Sequence, residues 1–110
     1  MKIYLAGPMS GYPEHNVPRF LEAAKHLRSL GHEVVCPPEV ASQDDHLYPE
    51  LLRRDLMAML SAQCEAIALL TGWTASTGAT MEFEVARKML YKVFFLTDDN
   101  VLVEMSRPGV

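Results

Sequence analysis

The 110-residue chain carries only two cysteines, Cys36 and Cys64. They make no CxxC pair and no disulfide framework, which points to a reducing, cytoplasmic setting. No apolar run approaches the ~18 residues of a membrane span. The opening Lys2-Ile3-Tyr4-Leu5-Ala6 is broken by Gly7-Pro8 before it reaches signal-peptide length. Cations are few: 10 Lys and Arg against 14 Asp and Glu leave a net charge of −4. No nucleic-acid groove or anionic membrane surface is therefore expected, since both need clustered cations. A single phosphate is still within the capacity of a helix end. There is no GxxxxGK(S/T) and no GxGxxG, hence no P-loop and no dinucleotide fingerprint. No serine sits in GxSxG, and His15, His26, His32 and His46 lack the spacing of a ligand set, so neither a metal nor a cofactor is expected.

What remains is an ordinary globular composition, 49% hydrophobic, 22% charged and 8% aromatic. Residues 1–110 read as one domain, of a size that buries roughly 65% of its unfolded surface. Short apolar runs at residues 3–6, 33–36, 66–70 and 93–96 predict strands, and the tail beyond Asp98 has room for a short fifth element. Between them, residues 17–30 predict a helix with Phe20, Ala23, Ala24, Leu27 and Leu30 on one face. Asn16 is its N-cap, Pro18 falls in its first turn and Gly31 is its C-cap. Residues 49–63 predict a second helix, with Leu52, Leu56, Met59 and Leu60 apolar. A third follows Gly78, where Met81, Val85 and Met89 recur every fourth residue beside Ala86 and Leu90. Residues 37–48 read as a polar loop. Strands alternating with helices imply right-handed parallel crossovers, hence an α/β Rossmann-like (flavodoxin-like) three-layer sandwich with a 4–5-stranded, mainly parallel sheet. Ligands of such sheets sit beyond the carboxyl ends of the strands. Gly7, Pro8, Met9, Ser10 and Gly11, the 37–48 loop and residues 71–78 reach that edge.

Three residues there stand out. Glu82 follows Gly78 in the first turns of a helix, where the macrodipole favours a carboxylate, as a nucleophile or simply as a complement to the dipole. Gly78 opens the backbone to a ligand, and Ser76 either caps the helix or donates to an anion. Asp55, in Arg53-Arg54-Asp55-Leu56, is a second acid or an exposed residue between arginines. Tyr4 lies mid-strand, where a tyrosine is core with a hydroxyl in need of a partner. Trp73 at a strand mouth either stacks on a ligand or covers the core. Arg19 is a counter-charge or a solvated helix residue.

Together, Tyr4-Leu5-Ala6-Gly7, Asp55-Leu56 and Ser76-x-Gly78-x-x-x-Glu82-x-x-x-Ala86 resemble the nucleoside 2-deoxyribosyltransferase superfamily over residues 2 to 96, and its small members in particular. The resemblance implies that Glu82 attacks the anomeric carbon of a nucleoside or nucleotide, Asp55 handles the departing base and Tyr4 orients the nucleophile. Such a division between two acids fits the oxocarbenium character that glycosidic cleavage develops. Base-exchanging members carry aspartate where this chain has Ser76. Serine there is a mark of the nucleotide N-glycosidases, and implies a 5′-monophosphate held by Ser76 and the loop of Gly7, Pro8, Met9, Ser10 and Gly11. Pro8-Met9-Ser10 and Phe83-Glu84-Val85 depart from the studied members. Two function classes follow: an enzyme, hydrolase or transferase, or a module that binds a nucleotide without turnover on the same scaffold. A degenerate structural protein is a third. The resemblance also implies a homodimer or higher homo-oligomer, with which seven methionines are compatible.

Overall fold

A computed structural model describes residues 1–40 and 50–105 of the chain. Five strands, β1 (Lys2–Ala6), β2 (Glu33–Val35), β3 (Ala66–Leu70), β4 (Lys92–Leu96) and β5 (Leu102–Glu104), form one sheet in the order β2-β1-β3-β4-β5. The first four are parallel and β5 runs antiparallel to β4. The tail beyond Asp98 thus supplies the fifth strand. Helix α1 (Val17–Ser29) lies on one side, and α3 (Glu50–Ser61) and α4 (Thr77–Lys88) on the other, while the short helix α2 (Pro37–Val40) meets both α1 and α3. The architecture is the expected α/β three-layer sandwich.

Strand alternation divides the core. Ile3 and Leu5 join Ala66, Ala68 and Leu70 against Phe20, Ala23, Ala24 and Leu27 of α1. Tyr4 and Ala6 point the other way, with Ile67 and Leu69, toward Met59 of α3 and Ala79 and Ala86 of α4. β3 is buried on both faces, as a central parallel strand must be, and its AIALL sequence carries no polar side chain.

Several local expectations change. Residues 37–40 form α2 rather than loop, with Pro37 in a first turn that needs no N–H. Arg28 fastens it, donating to both Glu39 oxygens at 2.9 and 2.6 Å and to the Val34 carbonyl at 2.9 Å. The rest of the expected 37–48 loop, with Asp44, Asp45 and His46, and the expected helix start at Pro49 lie outside the described residues. Asn16 does not cap α1: its backbone is left-handed and its Nδ2 donates to the Pro8 carbonyl at 2.8 Å. Leu30 and Leu60 are exposed. The largest change concerns α4, whose inward residues are Ala79, Glu82 and Ala86, while Met81 and Met89 face outward. Alanines on the inner face let α4 approach the sheet closely, so Tyr4 beneath it can reach the helix.

β1 and β3 are neighbours whose outgoing connections lead to opposite sides of the sheet. Their carboxyl ends flank the switch point where such folds bind ligands. The two exits pass very close: a Cβ on Gly7 would sit 2.8 Å from Leu70 Cβ, so a side chain at residue 7 would force the strands apart.

Candidate functional site

Tyr4 and Glu82 meet at this switch point. Period-two alternation turns Tyr4 toward α4, and the helical repeat puts Glu82 one turn after Ala79 on the inner face. The Tyr4 hydroxyl donates to Glu82 Oε2 at 2.6 Å in a buried setting. Glu82 is 4% exposed, and no other charged or polar residue is as deeply buried among the described residues. Desolvation dominates its titration. Burial lifts the carboxyl to about 8, against the lowering effect of the Tyr4 hydrogen bond, with Asp55 adding a further upward push. This overturns the expectation that the macrodipole keeps Glu82 ionised. Glu82 is the sixth residue of α4, in its second turn, and the helix-end field fades within the first. Burial, then the neighbouring Glu82 and Asp55, raise the Tyr4 phenol well above its usual range, so it remains a donor at any working pH.

Asp55 is not an exposed acid between arginines. α3 turns it inward, its Oδ1 is buried without a hydrogen-bond partner among the described residues, and burial raises it to about 6 despite Arg54. A buried carboxylate oxygen calls for a hydrogen-bond partner, and Asp55 lies on the wall of a cleft.

Two adjoining clefts open here. One, of about 150 Å³, is lined by Gly7, Met9, Ser10, Ser76, Gly78 and Ala79 around Asp55 and Glu82, with Leu51 and Leu52 at its flank. The other, of about 330 Å³, is lined by Pro8, Met9, Ser10, Tyr12, Gly72, Ala75, Ser76, Thr77 and Gly78. Met9, Ser10, Ser76 and Gly78 belong to both. Ser76 caps α4, its Oγ accepting from Ala79 N at 3.1 Å. Its hydroxyl proton stays available to the cleft, as do the first-turn amides that have no intrahelical acceptor. No Lys, Arg or His lines either cleft among the described residues.

Most of the residues expected at the site are thus brought together: Tyr4, Asp55, Glu82, Ser76, Gly78, Gly7, Pro8, Met9 and Ser10. Three are not. Gly11 lines neither cleft and serves the turn through a φ of +82°. Trp73 packs on Phe83 and Phe95, with ring centroids 4.9 and 6.2 Å apart, and lines neither cleft, so it covers the core rather than offering a stacking face. Arg19 is no counter-charge. It donates to Asn100 Oδ1 at 2.7 Å and the Thr97 carbonyl at 2.9 Å, holding the β4–β5 turn. Sequence reasoning missed Leu51 and Leu52, which stand four and three residues before Asp55 and so share its helix face. It also missed Tyr12 and Gly72, whose meeting depends on the β1–β3 pairing.

The fold defines a class. The chain superposes on the solved structure of 2-deoxyribosyltransferase from the psychrotolerant bacterium Bacillus psychrosaccharolyticus with a TM-score of 0.66. The match is 21% identical in sequence and covers 88% of this chain and 72% of that one. That enzyme is described as a suitable biocatalyst for the industrial synthesis of antiviral and antitumoral nucleosides. The present chain therefore has the 2-deoxyribosyltransferase fold. By sequence it belongs to the family described as Domain of unknown function (DUF4406), which it matches over residues 1–95. No curated protein matches it. Among the described residues, no helix is long and apolar enough to cross a membrane, and no group of three or more His, Cys, Asp or Glu could hold a metal ion.

Proposed function

We propose that the protein cleaves the N-glycosidic bond of a (deoxy)nucleoside 5′-monophosphate, with Glu82 as nucleophile. The observation that carries this reading is the buried Tyr4–Glu82 hydrogen bond beside a cleft that also holds Asp55, whose buried Oδ1 has no hydrogen-bond partner among the described residues. A Glu82 oxygen bonds to the anomeric carbon while the bond to the base breaks, and the electron pair leaves on the base nitrogen. Asp55 delivers its proton to that nitrogen. Water then attacks the anomeric carbon, the ester to Glu82 breaks, and Asp55 takes the proton from the water. A second base in place of water gives exchange instead of hydrolysis. Tyr4 donates to the carboxylate in its ionised form, the one that attacks. Leu51 and Leu52 give the base an apolar flank beside Asp55.

The phosphate falls to the larger cleft. Its donors are Ser10, Ser76, Thr77 and the first-turn amides of α4, all without formal charge. A Glu82 that is largely protonated at neutral pH spares an incoming dianion one negative neighbour. The reading extends to self-association, with Met57 and Met81 exposed on the outer faces of α3 and α4 and Met89 exposed just past the end of α4. A monomer by sedimentation at micromolar concentration would remove that part.

The test is release of free base from a panel of nucleoside monophosphates, with Glu82→Gln as control. Base above that control is expected. Binding without release points to the nucleotide-binding module. A protein that neither binds these nucleotides nor releases base from them refutes the reading.

A further inference from the structure

The larger cleft contains one polar side chain that the proposed chemistry leaves idle. Tyr12 is 42% exposed and lines this cleft, and its hydroxyl has no partner among the described residues. Yet its place is closely defined from two sides. A Cβ on Gly72 would lie 2.6 Å from the Tyr12 hydroxyl oxygen and 3.2 Å from Pro8 Cγ. The absent side chain at Gly72, where φ is +90°, is therefore the notch that receives the phenol. On the chain's own side, Glu14, His15 and Asn16 take left-handed φ of 52°, 55° and 63°, an unfavourable run for three non-glycine residues. That run is tied down by His15 N donating to the Tyr12 carbonyl at 3.0 Å and by Asn16 Nδ2 donating to the Pro8 carbonyl at 2.8 Å. Backbone strain held in place by such ties collects where a binding geometry has to be fixed.

We propose that Tyr12 recognises the substrate's 5′-phosphate, its hydroxyl donating to a phosphate oxygen in the larger cleft, which neither Asp55 nor Glu82 lines. This rests on the nucleoside monophosphate reading above and adds a specificity-determining residue to it. No cationic side chain lines the cleft among the described residues, so discrimination between phosphorylated and unphosphorylated substrate has to come from neutral donors. A phenol seated in a notch loses little freedom when it makes that bond.

Tyr12→Phe keeps the ring and its seat on Gly72 and deletes only the hydroxyl. Steady-state base release is measured with a 2′-deoxynucleoside 5′-monophosphate and with its phosphate-free nucleoside. Binding of the same two ligands is measured by calorimetry. The expected result is a KM and Kd for the nucleotide raised about tenfold, kcat within about twofold, and no change for the nucleoside. An unchanged KM and Kd for the nucleotide overturn the proposal while leaving the glycosidase reading intact. So does an equal loss for both ligands, which would make Tyr12 a structural residue. A protein that binds but does not cleave still supports the proposal if the Kd loss is confined to the nucleotide. If the unaltered protein neither binds nor cleaves either ligand, the glycosidase reading falls first and the role of Tyr12 falls with it.

Discussion

Replacing Tyr4 by phenylalanine removes one oxygen from a fully buried ring and opens no cavity larger than that atom, so the perturbation falls on Glu82. Glu82 titrates at about 8 and Asp55 at about 6. The productive state, with Glu82 ionised and Asp55 protonated, reverses the order in which they lose their protons. At pH 7 about one-tenth of Glu82 is ionised and about one-tenth of Asp55 protonated, so about one molecule in a hundred is poised to react. The kcat/KM profile should accordingly be a bell with flanks near 6 and 8. The Tyr4 bond favours the ionised form, and a hydrogen bond to a charged group is worth about 1.5–3 kcal/mol. At 1.36 kcal/mol per pK unit, its loss moves the alkaline flank up by about one to two pH units and lowers the plateau by about 10- to 100-fold. The assay is base release across pH 5–10 at low substrate concentration. A drop in rate with both flanks unmoved would refute the reasoning, because Tyr4 would then act on something other than the Glu82 charge. A flank displaced toward acid would refute it more directly.

Glu82→Gln should abolish base release and stabilise the fold above acidic pH. The unfolded carboxyl ionises near 4.5 and the folded one near 8. Between those values the folded protein keeps a proton that the unfolded chain has lost, so wild-type stability is full below about pH 4.5 and declines as pH rises through 8. The amide removes that slope, and its advantage in denaturant melts should grow from nil near pH 4.5 to a few kcal/mol above pH 8; equal slopes for the two proteins would contradict the burial argument. Gly78→Ala should separate fold from site. The new Cβ would meet only Leu52 Cδ1, at 3.9 Å, so stability should rise by about 0.4–1 kcal/mol, while KM rises because the methyl enters both clefts. Unchanged KM would take Gly78 out of the binding surface. Arg19→Met should cost about 1–3 kcal/mol in urea melts through loss of the Asn100 and Thr97 bonds. It should leave KM for the nucleotide within about twofold, and a large rise would restore Arg19 as a counter-charge.

By itself the sequence determined the alternation of strands and helices, the direction of the parallel sheet and the edge where a ligand would sit. These depend on local runs and on crossover handedness, which any short apolar segment between Gly, Pro and polar residues declares. The spacing of Tyr4, Asp55, Ser76 and Glu82 was legible too, as a resemblance among motifs. The rotation of α4 was not. Met81, Val85 and Met89 form the stronger apolar stripe, yet Ala79, Glu82 and Ala86 face the sheet, because close packing of helix on strand selects small residues and periodicity counts only hydrophobic ones. The charge state of Glu82 was likewise a tertiary matter, since desolvation depends on everything that surrounds the carboxyl and the helix dipole only on its own element. Tyr12 and Gly72 lie sixty residues apart and meet only because β1 pairs with β3. The small number of cations, 10 against 14 acids, acquires a meaning in the same way. Their scarcity argued against a polyanion from composition alone, whereas the neutral donors of the larger cleft, on which the proposal of a single phosphate rests, are gathered only by the fold.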